Sequence, residues 1–284
     1  MHKTLSMLAL LLAPAPLLAQ GAARERTDAS PIQAYKLVLV GDSTMAPHSG
    51  WASVFCAKHV KSSVACLNLG RGGRSTRSYR TEKSWDIALG EAKVPGYGAT
   101  YVLIQFGHND QSSNAERWTD MTTEFPANLR RYVEEVRAAG AQPVLLTPLT
   151  RREFKEGRLD NTLEPWSQQV RKVATEMKVP LVDLNAHSAA LVQRMGAETA
   201  TQLAQLPPAA DELAAAKAGS TLKPRPVPEQ PVPSADAAGD GPRGVVTRKF
   251  DYTHVGDVGA GVFARLVAQD LAVAVPALRS QILP

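Results

Sequence analysis

Tyr35 to Val40 reads YKLVLV, an apolar run that stops at Gly41, and no other feature constrains the fold as much. A run of this kind, ended by glycine, has the form of a strand buried on both faces. The pattern recurs. Ser63 to Leu69, Tyr101 to Phe106 (YVLIQF), Val144 to Thr147 and Pro180 to Leu184 (PLVDL) read as further strands. Helical spacing falls between them. Trp51 to His59 reads as one helix. Phe125, Leu129, Tyr132, Val133 and Val136 line a face of a second. Trp166, Val170, Val173, Ala174 and Met177 line a face of a third, with Pro165 at its first turn. A last helix is expected over Val258 to Val275, with Val262, Phe263, Leu266, Val267 and Leu271 as its apolar positions. Strands alternating with helices predict an α/β domain, a parallel sheet covered on both faces.

Two segments stand outside that alternation. Met1 to Ala19, MHKTLSMLALLLAPAPLLA, runs from a basic end through a short apolar stretch to small residues, the layout of a secretory leader. Pro14 and Pro16 interrupt it, and it falls short of the roughly 18 to 20 apolar residues of a membrane span. Residues 1–23 are therefore read as a signal peptide cleaved between Ala19 and Ala23. That predicts a secreted or periplasmic protein without stable membrane insertion. Pro207 to Lys249 carries 8 of the chain's 20 prolines and no aromatic residue. Such a stretch buries too little apolar surface to offset its ordering entropy, so it is read as an extended or mobile insertion. Too few residues follow it for a second domain, which leaves one domain over 24–284.

Composition closes off other classes. With 44% of its 284 residues hydrophobic and 21% charged, the chain is neither wholly disordered nor a multi-span membrane protein. The net charge of +5 is not gathered into a lysine–arginine block, so no nucleic-acid partner is expected. After export, Cys56 and Cys66 are either bridged or two buried thiols, one on a helix and one on the next strand. Sequence does not supply the Cα separation that decides between these.

In an open parallel sheet, ligands sit at the carboxyl ends of the strands. After the first strand comes Gly41-Asp42-Ser43-Thr44; after the second, Gly70-Arg71-Gly72-Gly73-Arg74-Ser75; after the third, Gly107-His108-Asn109-Asp110. Asp251-Tyr252-Thr253-His254 precedes the last helix. Each piece alone is weak: a serine after a strand is commonly a helix cap, and an Asp-x-x-His pair arises often by chance. Together they supply what ester hydrolysis needs. A serine hydroxyl requires a base in hydrogen-bond reach and a third group to orient that base. Asp251 and His254, three residues apart, can turn the same way, so the carboxylate holds the imidazole in the tautomer that accepts the proton of Ser43. The N–H groups of Ser43 and Gly73 and the amide of Asn109 are candidate oxyanion donors.

These four blocks, GDST, GRS at Gly73 to Ser75, GHND and DYTH, stand in the order of the blocks of the SGNH (GDSL) hydrolases. The chain resembles most the rhamnogalacturonan acetylesterases of carbohydrate esterase family 12, through Asn68 five residues before Gly73, IQFGHNDQ at Ile104 to Gln111, TPLTRREF at Thr147 to Phe154 and PLVDL. The resemblance covers most of Tyr35 to Leu271 and omits the leader and the proline-rich segment. It implies Ser43 as nucleophile, His254 as base, Asp251 as its orienting partner, and Ser43, Gly73 and Asn109 as the oxyanion hole. It also implies a three-layer α/β/α sandwich on a five-stranded parallel sheet of flavodoxin-like order 2-1-3-4-5. No metal or organic cofactor is expected. The Gly72-Gly73 pair leaves the oxyanion glycine open by one residue; Gly73 is taken because it precedes Arg74-Ser75.

Other residues read two ways. His108 either touches substrate or braces the oxyanion loop. His48, His59 and His187 have no partner at a useful spacing and read as surface or satisfied residues. Arg74, Arg77 and Arg80 are either receptors for a uronate-bearing polymer or solvated surface arginines, and Arg151 and Arg152 are open in the same way. Of the four tryptophans, Trp85 and Trp118 are the candidates for a sugar-stacking platform, with core packing as the alternative. The expected activity is removal of O-acetyl groups from an acetylated plant polysaccharide or oligosaccharide, rhamnogalacturonan, pectin or hemicellulose. The rivals are a periplasmic thioesterase or lysophospholipase, a metal-dependent phosphoesterase using Asp42, Asn109, Asp251 and His254, and a non-catalytic sugar-binding module. Oligomeric state is not legible.

Overall fold

The computed structural model describes residues 33–223 and 249–284. The expected signal peptide falls outside the described residues, as does 224–248 of the segment read as a proline-rich insertion. The strands are β1 (Tyr35–Gly41), β2 (Val64–Asn68), β3 (Ala99–Gln105), β4 (Gln142–Leu146), a short antiparallel pair β5 (Phe154–Lys155) and β6 (Arg158–Leu159), and β7 (Leu181–Val182). The helices are α1 (Ala52–Lys58), α2 (Ser78–Thr81), α3 (Ser84–Ala92), α4 (Glu124–Ala138), α5 (Glu164–Met177), α6 (Leu184–Thr201), α7 (Ala210–Lys217) and α8 (Asp257–Ala274). The main sheet is parallel throughout, with order β2-β1-β3-β4-β7. Setting the β5–β6 pair aside, this is the flavodoxin-like order.

Successive side chains of a strand point to opposite faces. Val38, Val40, Val102, Ile104 and Leu145 therefore join one buried cluster, beneath α3, α4 and α5. Leu37, Leu39, Leu103, Val144 and Leu146 join the other, beneath α1, α6 and α8. The result is three layers. The expected inward positions of α4 and α5 are the buried ones, except Met177, which is only partly covered. Lys36 is the exception inside β1: its side chain is buried, and its ammonium is matched by Glu91 of α3, through Oε2 at 2.6 Å and the main-chain oxygen at 2.9 Å. Cys56 of α1 and Cys66 of β2 form a disulfide, with Cα atoms 5.5 Å apart.

One expectation needs correcting. Ala210–Lys217, inside the segment read as extended or mobile, is helix α7. Its alanine-rich sequence favours helix, and Glu212 accepts from the N–H of Ala209 at 2.7 Å at the start. The chain after α7 then pairs with the small hairpin, Thr221 N–H to Phe154 O at 2.9 Å and Gly157 N–H to Gly219 O at 2.7 Å.

Register fixes where the loops emerge. Gly41 is level with Gln105, Gln105 with Leu146, and Leu39 with Asn68. The turns leaving β1, β2, β3 and β4 therefore come off one edge of the sheet. Gly41 is needed there, because a Cβ on it would lie 2.6 Å from the main-chain oxygen of Gln105.

Candidate active site

The turn after β1 is held from below by buried polar groups. Asp42 Oδ1 accepts from the Thr44 N–H at 2.9 Å and the Thr44 hydroxyl at 2.8 Å. Gln105 Nε2 donates to Thr44 Oγ1 at 2.6 Å, and Trp51 Nε1 donates to Gln105 Oε1 at 2.9 Å. Asn68 bridges to the neighbouring turn, donating to Met45 O and accepting from Gly70 N–H, both at 3.0 Å. Ser43 sits between these ties. Its hydroxyl and its N–H form no hydrogen bond with any described residue.

The turns after β2 and β3 are laced together. Gly73 adopts φ +77°, a conformation that costs glycine little and other residues much. Asn109 Nδ2 donates to Arg74 O at 3.1 Å. Asp110 Oδ1 accepts from Thr76 through its N–H at 3.0 Å and its hydroxyl at 2.5 Å, and from the Thr119 hydroxyl at 3.0 Å. A Cβ on Gly72 would lie 3.8 Å from Cβ of Ser43, so this turn stands against the first one. The N–H of Gly73, like that of Ser43, has no acceptor among the described residues.

Asp251 and His254 are paired. His254 Nδ1 and Asp251 Oδ2 are 2.7 Å apart, and Asp251 Oδ1 accepts the N–H groups of Thr253 at 2.9 Å and His254 at 2.6 Å. Burial pushes the Asp251 carboxyl up, but the His254 ring and these N–H groups outweigh it and bring the pKa down to about 2. The pair is seated on the first turn: Val255 N–H donates to Ser49 O at 3.1 Å, and Ser49 Oγ donates to Ser43 O at 2.7 Å. No hydrogen bond closes between Ser43 Oγ and the His254 ring, a bond that is often long in such sites without substrate.

Residues 39–221, more than half of the chain, match the model of the GDSL-like Lipase/Acylhydrolase family. The chain belongs to that family. It is 35% identical over 181 residues to the rhamnogalacturonan acetylesterase RhgT of Bacillus subtilis, covering 61% of this chain and 73% of that protein. It is 29% identical over 169 residues to the probable rhamnogalacturonan acetylesterase YesY of the same organism, covering 57% and 76%. The solved structure of Bacillus subtilis YxiM is similar in fold, with a TM-score of 0.60 and 22% identity over 86% of this chain; the chain spans 57% of that structure's length. The family match ends before Asp251 and His254, so in this GDSL-like chain it is the fold that brings those two residues to the matched turns.

The remaining expected residues of this GDSL-like chain divide. His108 is buried, and Nε2 donates to Leu149 O at 2.8 Å. Burial above all, then the charges of Arg151 and His254, holds its pKa well below the usual histidine range, so the ring is neutral and braces the loop. Arg74 is engaged by Glu82 at 2.7 Å and by the Gly72 carbonyl. Arg77 pairs with Glu124 and Arg80 with Glu135, so none of the three is left over for a substrate carboxylate. Trp85 does not reach the rim. It is buried, edge-on to Tyr132, with Nε1 bonded to Glu135. Trp118 is 47% exposed. Among the histidines set aside, His59 is satisfied by Leu283 O, His187 is exposed and paired with Asp270, and His48 is exposed.

Arg152, expected to be a substrate receptor or a surface arginine, is neither. Its side chain is fully buried, and it donates to the main-chain oxygens of Asp251 at 2.9 Å, Thr253 at 3.2 Å and His254 at 2.8 Å. Its own N–H adds a bond to Tyr252 O at 2.8 Å. Burial lowers its pKa to about 10, the Asp251 carboxylate opposing, which leaves it charged at neutral pH. An arginine beside a glutamate in the run RREF gave no sign in the sequence of being a buried clamp.

Proposed function

We propose that this chain is an exported serine esterase that removes acetyl groups from a plant cell-wall polysaccharide, rhamnogalacturonan or a related pectin or hemicellulose. The observation that carries the reading is the 2.7 Å pair of His254 and Asp251 on a loop hydrogen-bonded through Ser49 to Ser43. With Nδ1–H donated to the Asp251 carboxylate, Nε2 keeps its lone pair and takes the Ser43 proton as Oγ adds to the acetyl carbonyl carbon. Negative charge then moves to the carbonyl oxygen. The N–H groups of Ser43 and Gly73 and the amide of Asn109 are the donors offered to it. Collapse breaks the bond to the sugar oxygen, which takes the proton from His254 and departs as the free hydroxyl, with an acetyl-serine left behind. Water, deprotonated by His254, attacks that ester; acetate leaves and the serine recovers its proton. The acetyl preference is supported by the relatives named as rhamnogalacturonan acetylesterases.

The test is acetate release from acetylated pectins, xylans and aryl esters of increasing acyl length, with Ser43→Ala alongside. Turnover of acetyl esters should exceed that of octanoyl esters, and Ser43→Ala should lose about 10³-fold or more in kcat with its melting curve unchanged. Retained turnover in Ser43→Ala rules out the nucleophile; a preference for octanoyl esters rules out the substrate class.

A further inference from the structure

Building on the esterase reading, we propose that Arg117 is a receptor for a substrate carboxylate, and that it selects acetylated sugars bearing a uronate over neutral ones. A Cβ placed on Gly73 would lie 3.5 Å from Cζ of Arg117 and 3.6 Å from each of its Nη atoms. The guanidinium therefore lies over the glycine whose N–H is offered to the oxyanion. A group bound by it is held beside the proposed oxyanion hole.

Its charge is also uncommitted. Arg74, Arg77 and Arg80 on the same rim are each spent on a glutamate. Arg117, among the described residues, has no ion pair and no side-chain hydrogen bond. A planar fork of donors left without an acid, beside a site for a sugar ester, is matched by a carboxylate that can accept two parallel bonds.

The loop that carries Arg117 is built rather than loose. Ser112 N–H donates to Asn109 O at 3.1 Å, and Thr119 donates to Asp110 through both its N–H and its hydroxyl at 3.0 Å. Between these anchors Asn114 O accepts the N–H groups of Arg117 at 3.0 Å and Trp118 at 2.9 Å. The main chain that carries Arg117 is thereby tied to the turn that holds the Asn109 amide. Trp118, next along, is 47% exposed, the other three tryptophans being buried, and it offers a sugar ring an apolar surface beside Arg117.

The experiment compares one acetylated pectin fragment as the free acid and as its methyl ester, which differ only in the carboxylate charge. Acetate release is measured for the wild type, Arg117→Ala and Arg117→Lys. The wild-type kcat/KM should favour the free acid by about tenfold, mainly through KM. That ratio should fall towards one in Arg117→Ala and be partly kept in Arg117→Lys. A wild-type ratio near one, or equal losses on both forms in Arg117→Ala, overturns the proposal. Titration calorimetry of the Ser43→Ala protein with a non-acetylated oligogalacturonide and its methyl ester reads the subsite without turnover. The affinity gap should be present and should vanish on adding Arg117→Ala. If no ester is hydrolysed yet the affinity gap is present and is lost in Arg117→Ala, the esterase reading fails and the carboxylate subsite stands. If acetate is released but neither ratio depends on Arg117, the subsite fails and the esterase reading stands.

Discussion

The guanidinium of Arg152 donates to the main-chain oxygen of His254 at 2.8 Å from a position with no solvent exposure. With its bonds to the oxygens of Asp251 and Thr253, it fixes the loop from inside the protein while the His254 ring is left partly open. A lysine keeps the charge but not the fork, and one ammonium does not reach three carbonyls spread along four residues. Arg152→Lys is expected to lower kcat by about 10- to 100-fold, the cost typical of a reacting group displaced by about an ångström. KM should change far less. Steady-state kinetics on an aryl acetate, with near-ultraviolet circular dichroism to verify packing, checks this.

Asp251→Asn isolates the orienting role proposed for this carboxylate. The asparagine oxygen can still accept the N–H groups of Thr253 and His254, so the loop should persist. The ring loses the acceptor that fixes its tautomer and stabilises its charged form. A fall in kcat of about 10²- to 10⁴-fold is expected. Full activity would mean that the 2.7 Å contact is structural only.

The sheet was legible because its signal is local: apolar runs ended by polar, glycine-bearing turns read as buried strands, and the register then needs only their common direction. The turns Asp42–Thr44 and Gly107–Asp110 were legible for the same reason. What failed were assignments that depend on side-chain partners far along the chain. For Trp85 the choice between a sugar-stacking platform and core packing is made by Tyr132 and Glu135 of α4, which draw it inward. Arg152 looks like a surface residue until the main-chain oxygens of residues about a hundred positions later surround it. Helix α7 was hidden by the prolines around it, although its own eight residues contain none.

The Cys56–Cys66 bridge closes a short loop between α1 and β2. Restricting the unfolded chain over such a loop contributes on the order of 2 to 3 kcal/mol. Cys56→Ser together with Cys66→Ser should lower the melting temperature by several degrees. Activity at 25 °C should hold, because both cysteines lie back from the strand ends that carry the candidate site. Differential scanning calorimetry, with and without reductant, measures the gap; reductant should not affect the double variant.

Asp42 and Asp110, buried under neighbouring turns, give the stability a pH dependence opposite to that of Asp251. Burial, opposed by the Thr44 bonds and by the charge of His254, raises Asp42 to about 6. Burial, opposed by Thr76 and Thr119 and reinforced by the Asp42 carboxylate, raises Asp110 to about 7. The folded state therefore favours their protonated forms. Their contribution is greatest below the ordinary aspartate value of 3.8 and is lost as the pH climbs through about 6 to 7. Asp251, at about 2, contributes above 3.8 and loses its share only as the pH falls towards 2. In Asp110→Asn the Oδ1 acceptor is preserved and the amide replaces an oxygen that has no partner in the fold. The melting temperature of this variant, relative to wild type, should rise by a few degrees between pH 4 and pH 8. Because Asp42 is among the groups that push Asp110 up, Asp42→Asn should also shift the Asp110 carboxyl titration, followed by carbon-13 NMR, to lower pH. A parallel pair of melting curves with an unmoved titration would show that the two carboxyls neither hold their protons at mild pH nor sense one another.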